Sequence, residues 1–400
     1  MARGLLDDVS VEVRNRRARA ALAALFLTNG ALFANLLPRY PEIKADLALS
    51  NAAYGVAIAA FSGGALVAGL TAGALVRRFR SARVAVAASI GIAAFVFVAA
   101  LAPSAVALAS ALFVAGASDA ITDVAQNAHA LRLQRNYGRS IINSFHAVWS
   151  AGAVLGGAMG AAAIALDVPR ATHLAISAAL FSGVVLAVYP FLLRGADEGD
   201  HPASHVDGAP RPGLAVYAVL LALVGIAISG AVVEDAGSSW AAVYLRDNLG
   251  APGALAVMGY IALVGCQFAG RMIGDRLVDR FGERAVARVG GLIAAAGMGA
   301  ALAFPGIPGT IAGFGAAGFG LATVIPAAMH AADQLPGLRH ASGLTVVTWL
   351  LRIGSITSAP VVGIVADATS LRVGLLVVPA AGVSVMLLAA ALSPRRPPSR

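Results

Sequence analysis

In an otherwise apolar stretch, Asp119, Asp123 and Asn127 recur every four residues, so a helix through them carries all three on one face. A second apolar stretch brings Asn143, His146 and Ser150 onto one face in the same way. A carboxyl group beside an imidazole or an amide can take up and release a proton, and burial moves the pH at which it does so. Asp123 and Asp119 are candidates for such a proton site, with His146 or Asn127 tuning it. The same residues also suit a hydrogen-bonded clamp between the two helices, and spacing alone leaves both uses open.

Glu234 and Asp235 form a third acidic position, with Glu234 either a proton carrier or the latch of an outer gate and Asp235 facing interfacial water. Thr345, Thr348, Arg352 and Ser355 follow at spacings of three and four, one polar stripe on a helix. A guanidinium at the depth of Arg352 requires a carboxylate partner, for which Glu234 or Asp119 would serve, or an anionic solute. Trp349 beside the stripe offers an indole face for a sugar ring, or simply packs. Asn29, Asn35 and Gln267 present donors and acceptors to hydroxyl groups without charge.

These groups matter because of what surrounds them. Hydrophobic residues make up 59% of the 400-residue chain and charged residues 12%, against about 25% charged in a soluble domain. Apolar stretches of about twenty residues, each long enough to cross a hydrocarbon core of roughly 30 Å, fill almost the whole chain. Twelve helical spans are predicted, at 18–38, 51–76, 83–102, 104–130, 141–166, 172–193, 213–239, 252–274, 286–304, 308–330, 342–364 and 371–392. An ionisable group at such depth costs several kcal/mol, about 3 on insertion scales, which makes each one a functional candidate.

The positive charges fall on alternate sides of the spans. Twenty-three of the 29 Lys and Arg residues lie in the N-terminal segment, the alternate loops and the tail, while the opposite loops hold only Arg39, Lys44, Arg170, Arg246 and Arg372. By the positive-inside rule both termini are expected in the cytoplasm. The net charge of +9 is thus a matter of topology, and a nucleic-acid partner is not expected. The single Cys266 gives neither a disulfide framework nor a thiolate metal site, and no metal or cofactor is expected. The N-terminal segment is polar for too long to be a cleaved signal peptide, so the first span is expected to direct insertion. No nucleotide-binding loop and no hydrolase or metalloprotease motif occurs in the chain.

A polar, Pro- and Gly-containing linker at 194–212 divides the chain into an N-terminal half at 1–193 and a C-terminal half at 213–400, each with six spans. ALVRRFR ending at Arg80 aligns with RLVDRFG ending at Gly282 at an offset of 202 residues, and each copy follows the second span of its half. Two repeated halves with a site at the midplane is a transporter layout. Glycines at four-residue spacing (Gly152, Gly156 and Gly160; Gly270 and Gly274; Gly309 and Gly313) are expected to let helices approach closely in lipid.

Asp279, Arg280, Phe281 and Gly282 with Arg284 resemble the loop between the second and third spans of each half of major-facilitator transporters. The first copy, from Gly73 to Arg83, has Arg77 at the place of the acid. Asp123–Asn127 (DVAQN), Phe145–Gly152 (FHAVWSAG), and Glu234 followed by WAAVYL from Trp240 together resemble the MosC/YbjJ-like branch, which is related to the fucose-permease group of sugar:proton symporters. That resemblance implies the all-α, twelve-span major-facilitator fold and favours Asp123 and Glu234 over Asp119. Asn127 and Trp149, within the matching segments, and Asn143, on the face shared with His146, are also substrate-binding candidates. The acids that the fucose-permease group uses in its first span are replaced here by asparagines. In span 5, Gly152, Gly156 and Gly160 also resemble the signature of drug:proton antiporters, with Gly157 in place of its proline.

The expected function is a secondary active transporter in the bacterial cytoplasmic membrane, with the lipid bilayer as its surroundings and working as a monomer. It moves a small polar, sugar- or polyol-like solute with protons. A proton-driven efflux antiporter is the alternative, and a membrane-embedded enzyme the remote one.

Overall fold

With no water in a hydrocarbon layer to satisfy backbone groups, a spanning segment must pair its own N–H and C=O groups, and the chain does this with helices. The computed structural model describes residues 2–138, 141–193, 195, 213–335 and 342–392, and among them there is no strand. Twelve helical segments are long and apolar enough to cross a membrane: spans 1 to 6 are Glu12–Asp46, Asn51–Phe79, Ser81–Ala100, Ala105–Tyr137, Ser144–Ala165 and Arg170–Phe191, and spans 7 to 12 are Leu214–Asn248, Gly253–Phe281, Glu283–Ala303, Ile307–Asp333, Gly343–Ala368 and Leu371–Ala391. Most run beyond the bounds expected from the sequence, because a helix continues into polar residues once its apolar part has formed. The linker at 194–212 lies outside the described residues, apart from Gly195.

The chain forms two compact units, one of Met1–Arg39 with Ala60–Asp200 and the other of Tyr40–Ala59 with His201–Arg400. In the first unit, Leu22, Leu25 and Phe26 of span 1 pack with Phe145 of span 5 and Leu133 of span 4. The glycines of span 5 make that packing possible. A Cβ at Gly152 would lie 2.1 Å from the Leu27 carbonyl oxygen, one at Gly156 2.4 Å from that of Ala31, and one at Gly160 2.5 Å from the Pro38 ring. Gly270 and Gly274 likewise meet Ala322 and Thr323 of span 10, whereas Gly309 has open space beside it and is not a packing glycine.

In the second unit, span 2 begins against spans 7 and 11. The Asp367 carboxylate accepts the backbone N–H groups of Asn51 at 2.9 Å and Ala52 at 2.8 Å, so a negative charge from far along the chain caps the helix N-terminus. The Tyr54 hydroxyl donates to the Ser239 carbonyl at 2.7 Å, and its ring stands edge-on to Trp240 at 4.9 Å. Gly55 faces Ala359 and Gly363 faces Asn51, each so closely that a Cβ would fall 2.4 and 2.3 Å from the opposing carbonyl oxygens.

The internal repeat is visible in the backbone. Arg80 (φ 73, ψ 143) and Gly282 (φ 81, ψ 153) adopt the same turn between the second and third spans of their halves. Arg80 N–H donates to Val76 and receives the following turn from Val84, as Gly282 does with Val278 and Val286, each pair 202 residues apart. That backbone region belongs to glycine and costs another residue about 1–3 kcal/mol. Arg80→Gly is therefore expected to stabilise the protein by about 1 kcal/mol after the larger chain entropy of glycine is counted. In a detergent melt this appears as a rise of about 2–4 °C, and a fall would show that the Arg80 side chain contributes more than its backbone costs.

Candidate functional site

The most polar constellation of the second unit lies midway along its helices. Span 7 continues to Asn248 rather than ending near 239, so Glu234 is fourteen residues, about 21 Å, from that end. This corrects the expectation that Glu234 sits at the end of its span. Its carboxylate accepts from Gln267 Nε2 and from Arg271 Nη2 at 3.0 Å, both on span 8 and one helical turn apart. The side chains of Arg271 and Glu234 are 35% and 40% exposed, so the pair remains open to a solute or to water. Asp235, expected to face interfacial water, instead has the Ser355 hydroxyl of span 11 beside its carboxyl.

Arg271 is held at a second point, and the sequence explains why. Span 10 is broken at Leu321–Thr323 into Ile307–Gly320 and Val324–Asp333. Pro326 has no N–H to return to the carbonyl four residues earlier, which is that of Ala322. Arg271 Nε donates to that freed oxygen at 3.3 Å. One guanidinium thus joins a carboxylate on span 7 to the break in span 10, a place where unwound backbone is tolerated in a membrane because protein groups satisfy it.

The expected partnership of Arg352 with Glu234 is therefore corrected. Glu234 is bonded to Arg271, and among the described residues Arg352 forms no ion pair. Arg271 falls inside the span expected at 252–274 but is not among the candidates that sequence reasoning singles out, although its position four residues after Gln267 is a usable signal. Thr348 and Arg352 are half-buried on span 11, and Trp349 is exposed.

In the first unit, Asn127 Nδ2 donates to Asp123 Oδ1 at 2.9 Å and to its backbone oxygen at 3.0 Å, so the amide steadies the acid within one helix. Asp119 lies one turn away on the same face. His146 stands edge-on to Phe26 of span 1 at 5.6 Å. Asn143 lies one residue before span 5, in the helix Ile142–Ala165, and Trp149 is half-buried with its carbonyl against Gly30 of span 1. Asn29 is buried with its Oδ1 unpartnered.

Asn35 serves a different purpose from hydroxyl recognition. Its Oδ1 meets His173 Nε2 at 2.9 Å and its Nδ2 donates to Ala31, while Arg39 donates to His173 Nδ1 at 3.4 Å and to the Val168 carbonyl at 2.7 Å. The bond from Arg39 makes Nδ1 the acceptor, so Nε2 carries the proton. This buried network ties span 1 to span 6.

At the span 8–9 turn, the Arg280 guanidinium lies 5.4 Å over the Phe281 ring. Arg284 donates to the carbonyls of Leu392 at 3.2 Å and Ala390 at 2.8 Å, fixing the end of span 12. Asp279 is exposed. Among the described residues no cluster of three His, Cys, Asp or Glu side chains is placed to hold a metal.

The family model of the Major Facilitator Superfamily matches residues 22–277 and 266–400. The chain belongs to the major facilitator superfamily. It is 32% identical over 376 residues to the uncharacterized transporter y4wD of Sinorhizobium fredii, covering 93% of this chain and 97% of that one. It is 27% identical over 368 residues to the membrane protein MosC of Rhizobium meliloti, covering 91% and 88% of the two chains, which bears out the resemblance to the MosC-like branch. Among solved structures it is similar to the nucleoside transporter NupG, with a TM-score of 0.72, 14% identity and coverage of 94% and 98%. The protein is therefore a multi-pass membrane transporter of small-molecule solutes, and the enzyme reading falls away.

Proposed function

We propose that this transporter moves a small polar, sugar- or polyol-like solute by alternating access, with protons as the coupling ion and Glu234 as the acid that carries them. The observation that carries this reading is the Glu234 carboxylate held by Gln267 and Arg271 beside the broken span 10. A proton arriving on Glu234 removes the charge that holds the guanidinium, freeing Arg271 to meet solute hydroxyls while Gln267 keeps its acceptor. Asp123 with Asn127, Asp119 and His146 form the second group of coupling candidates. Asn29, Asn143, Trp149, Thr348, Trp349 and Arg352 are the remaining candidates for lining the solute path. NupG, a nucleoside transporter by name, makes a polar solute with a sugar ring a natural class to try.

Movement of the halves at 1–193 and 213–400, joined by the linker at 194–212, supplies the alternating access in this reading. The arginine distribution supports cytoplasmic termini in a bacterial cytoplasmic membrane, and the protein acts as a monomer. The glycines that resemble an antiporter signature pack span 5 against span 1, so no observation favours drug:proton exchange.

Purified protein in liposomes loaded with a pH-sensitive dye tests this reading against a panel of sugars, polyols, nucleosides and cationic dyes. A sugar, polyol or nucleoside is expected to drive proton movement in its own direction of flow. Proton movement opposite to the flow of cationic dyes, with none for the polar solutes, would overturn it.

A further inference from the structure

Span 9 packs along spans 10 and 12 and touches span 8 only slightly, which leaves a furrow between spans 8 and 9 with span 10 as its floor. Two cavities of about 620 and 330 Å³ lie along this furrow and adjoin at Ile293 and Phe319, which line both. Along span 8 the lining runs from Leu255 to Phe281, about 39 Å at 1.5 Å per residue, close to the thickness of a whole leaflet pair with its headgroups. The lining is apolar throughout except for the Cys266 thiol and the Thr323 hydroxyl. Val289 and Phe281 stand on its rim, 58% and 51% exposed.

At the Ala303 end of span 9, Arg372 is occupied by the Ala303 carbonyl, whereas unoccupied guanidinium groups gather at the opposite end. At the Phe281 end, span 8 contributes Arg276 and Arg280 and span 9 contributes Arg284 and Arg288. Arg284 is occupied by the carbonyls at the end of span 12. Arg276, Arg280 and Arg288 are exposed and form no ion pair among the described residues, and Arg280 already lies over the Phe281 ring. The acids nearby are Asp275 and Asp279, of which Asp279 lies one turn from Arg276, and Glu283, which is bonded to His330 at 3.1 Å.

We propose that this furrow is a binding site for one anionic phospholipid, with an acyl chain laid between spans 8 and 9 and the phosphodiester held by Arg280 and Arg288. An apolar slot at membrane depth selects an acyl chain, and guanidinium groups at its mouth select a phosphate. A second copy of the chain is a poorer occupant, because a helix is too wide for a slot formed by side chains of two neighbouring helices over a third.

Native mass spectrometry of the full chain in mild detergent tests the site with phosphatidylglycerol and with phosphatidylcholine of the same acyl chains. The protein is expected to retain one phosphatidylglycerol at least tenfold more than phosphatidylcholine. Val289→Trp, which fills the slot from an exposed position, is expected to reduce both, and Ala285→Phe serves if that variant melts abnormally. Arg280→Ala with Arg288→Ala is expected to remove the preference and leave residual lipid. Equal retention of the two lipids, undiminished phosphatidylglycerol in the filled variants, or a dimer without lipid would each overturn the proposal. So would stabilisation by inorganic phosphate alone to the same extent as by the lipid.

Discussion

Glu234→Gln is expected to leave solute exchange across the membrane intact while abolishing accumulation driven by a proton gradient. Glutamine keeps the size and acceptor oxygen of the protonated acid, so Gln267 keeps a partner, and only the change of charge is lost. Arg271→Ala is expected to be more damaging, because it strands the Glu234 charge and the Ala322 carbonyl together. Breaking one side of a buried pair costs about 3–5 kcal/mol. With both side chains more than a third exposed, about 1–3 kcal/mol is expected here, or roughly ten- to hundredfold in the population of the competent state. The pair Glu234→Gln with Arg271→Gln should recover expression and thermal stability without recovering accumulation. Loss of exchange together with accumulation in Glu234→Gln would make the residue a latch, and unchanged accumulation would pass the coupling role to Asp123.

Gly55→Leu and Gly363→Leu are each expected to lower transport by at least about a hundredfold with the protein still inserted and folded. Both glycines face backbone rather than flexible side chains, at Ala359 and at Asn51, so a larger residue cannot be accommodated by a rotamer change. The start of span 2 would then be unable to seat against span 11. Asp367→Asn acts on the same contact more gently, since it removes the charge that caps Asn51 and Ala52. Its effect is expected to be a shift in the balance of states, seen as faster labelling of a cysteine placed at Ser50 by an impermeant thiol reagent. Normal transport in Gly55→Leu would show that this seating is not part of the cycle. Wild-type labelling in Asp367→Asn would show that the cap contributes nothing to it.

The resemblance also pointed to residues whose roles the structure divides. Asp123 and Asn127 sit one turn apart and bond within one helix, a relation that spacing alone predicts. Asn35 has the same amide chemistry and the same kind of apolar surroundings as Asn29. Yet Asn35 is bound to His173 from another span, while the Asn29 oxygen is buried without a partner. No local feature separates the two.

What the sequence determined by itself is what depends on local chemistry and on repetition. The twelve spans follow from apolar length, because a membrane leaves a helix as the only way to satisfy so many backbone groups. The repeat at an offset of 202 residues foretold a shared turn, and Arg80 and Gly282 adopt it. The break in span 10 was not read from the sequence, which gives one span at 308–330, although Pro326 cannot return a hydrogen bond to Ala322. Partner choice was decided only by the tertiary structure. From the sequence Glu234 could be matched with Arg352, but Arg271 takes it because the freed Ala322 carbonyl holds that guanidinium beside the acid, which Gln267 also binds. Asp367 reads as an ordinary acid at a helix end until span 2 brings the N–H groups of Asn51 and Ala52 to it, 316 and 315 residues away. Side-chain periodicity fixes which face of a helix a residue occupies, but the neighbour across that face is set by how whole helices pack, and that is a property of the entire chain.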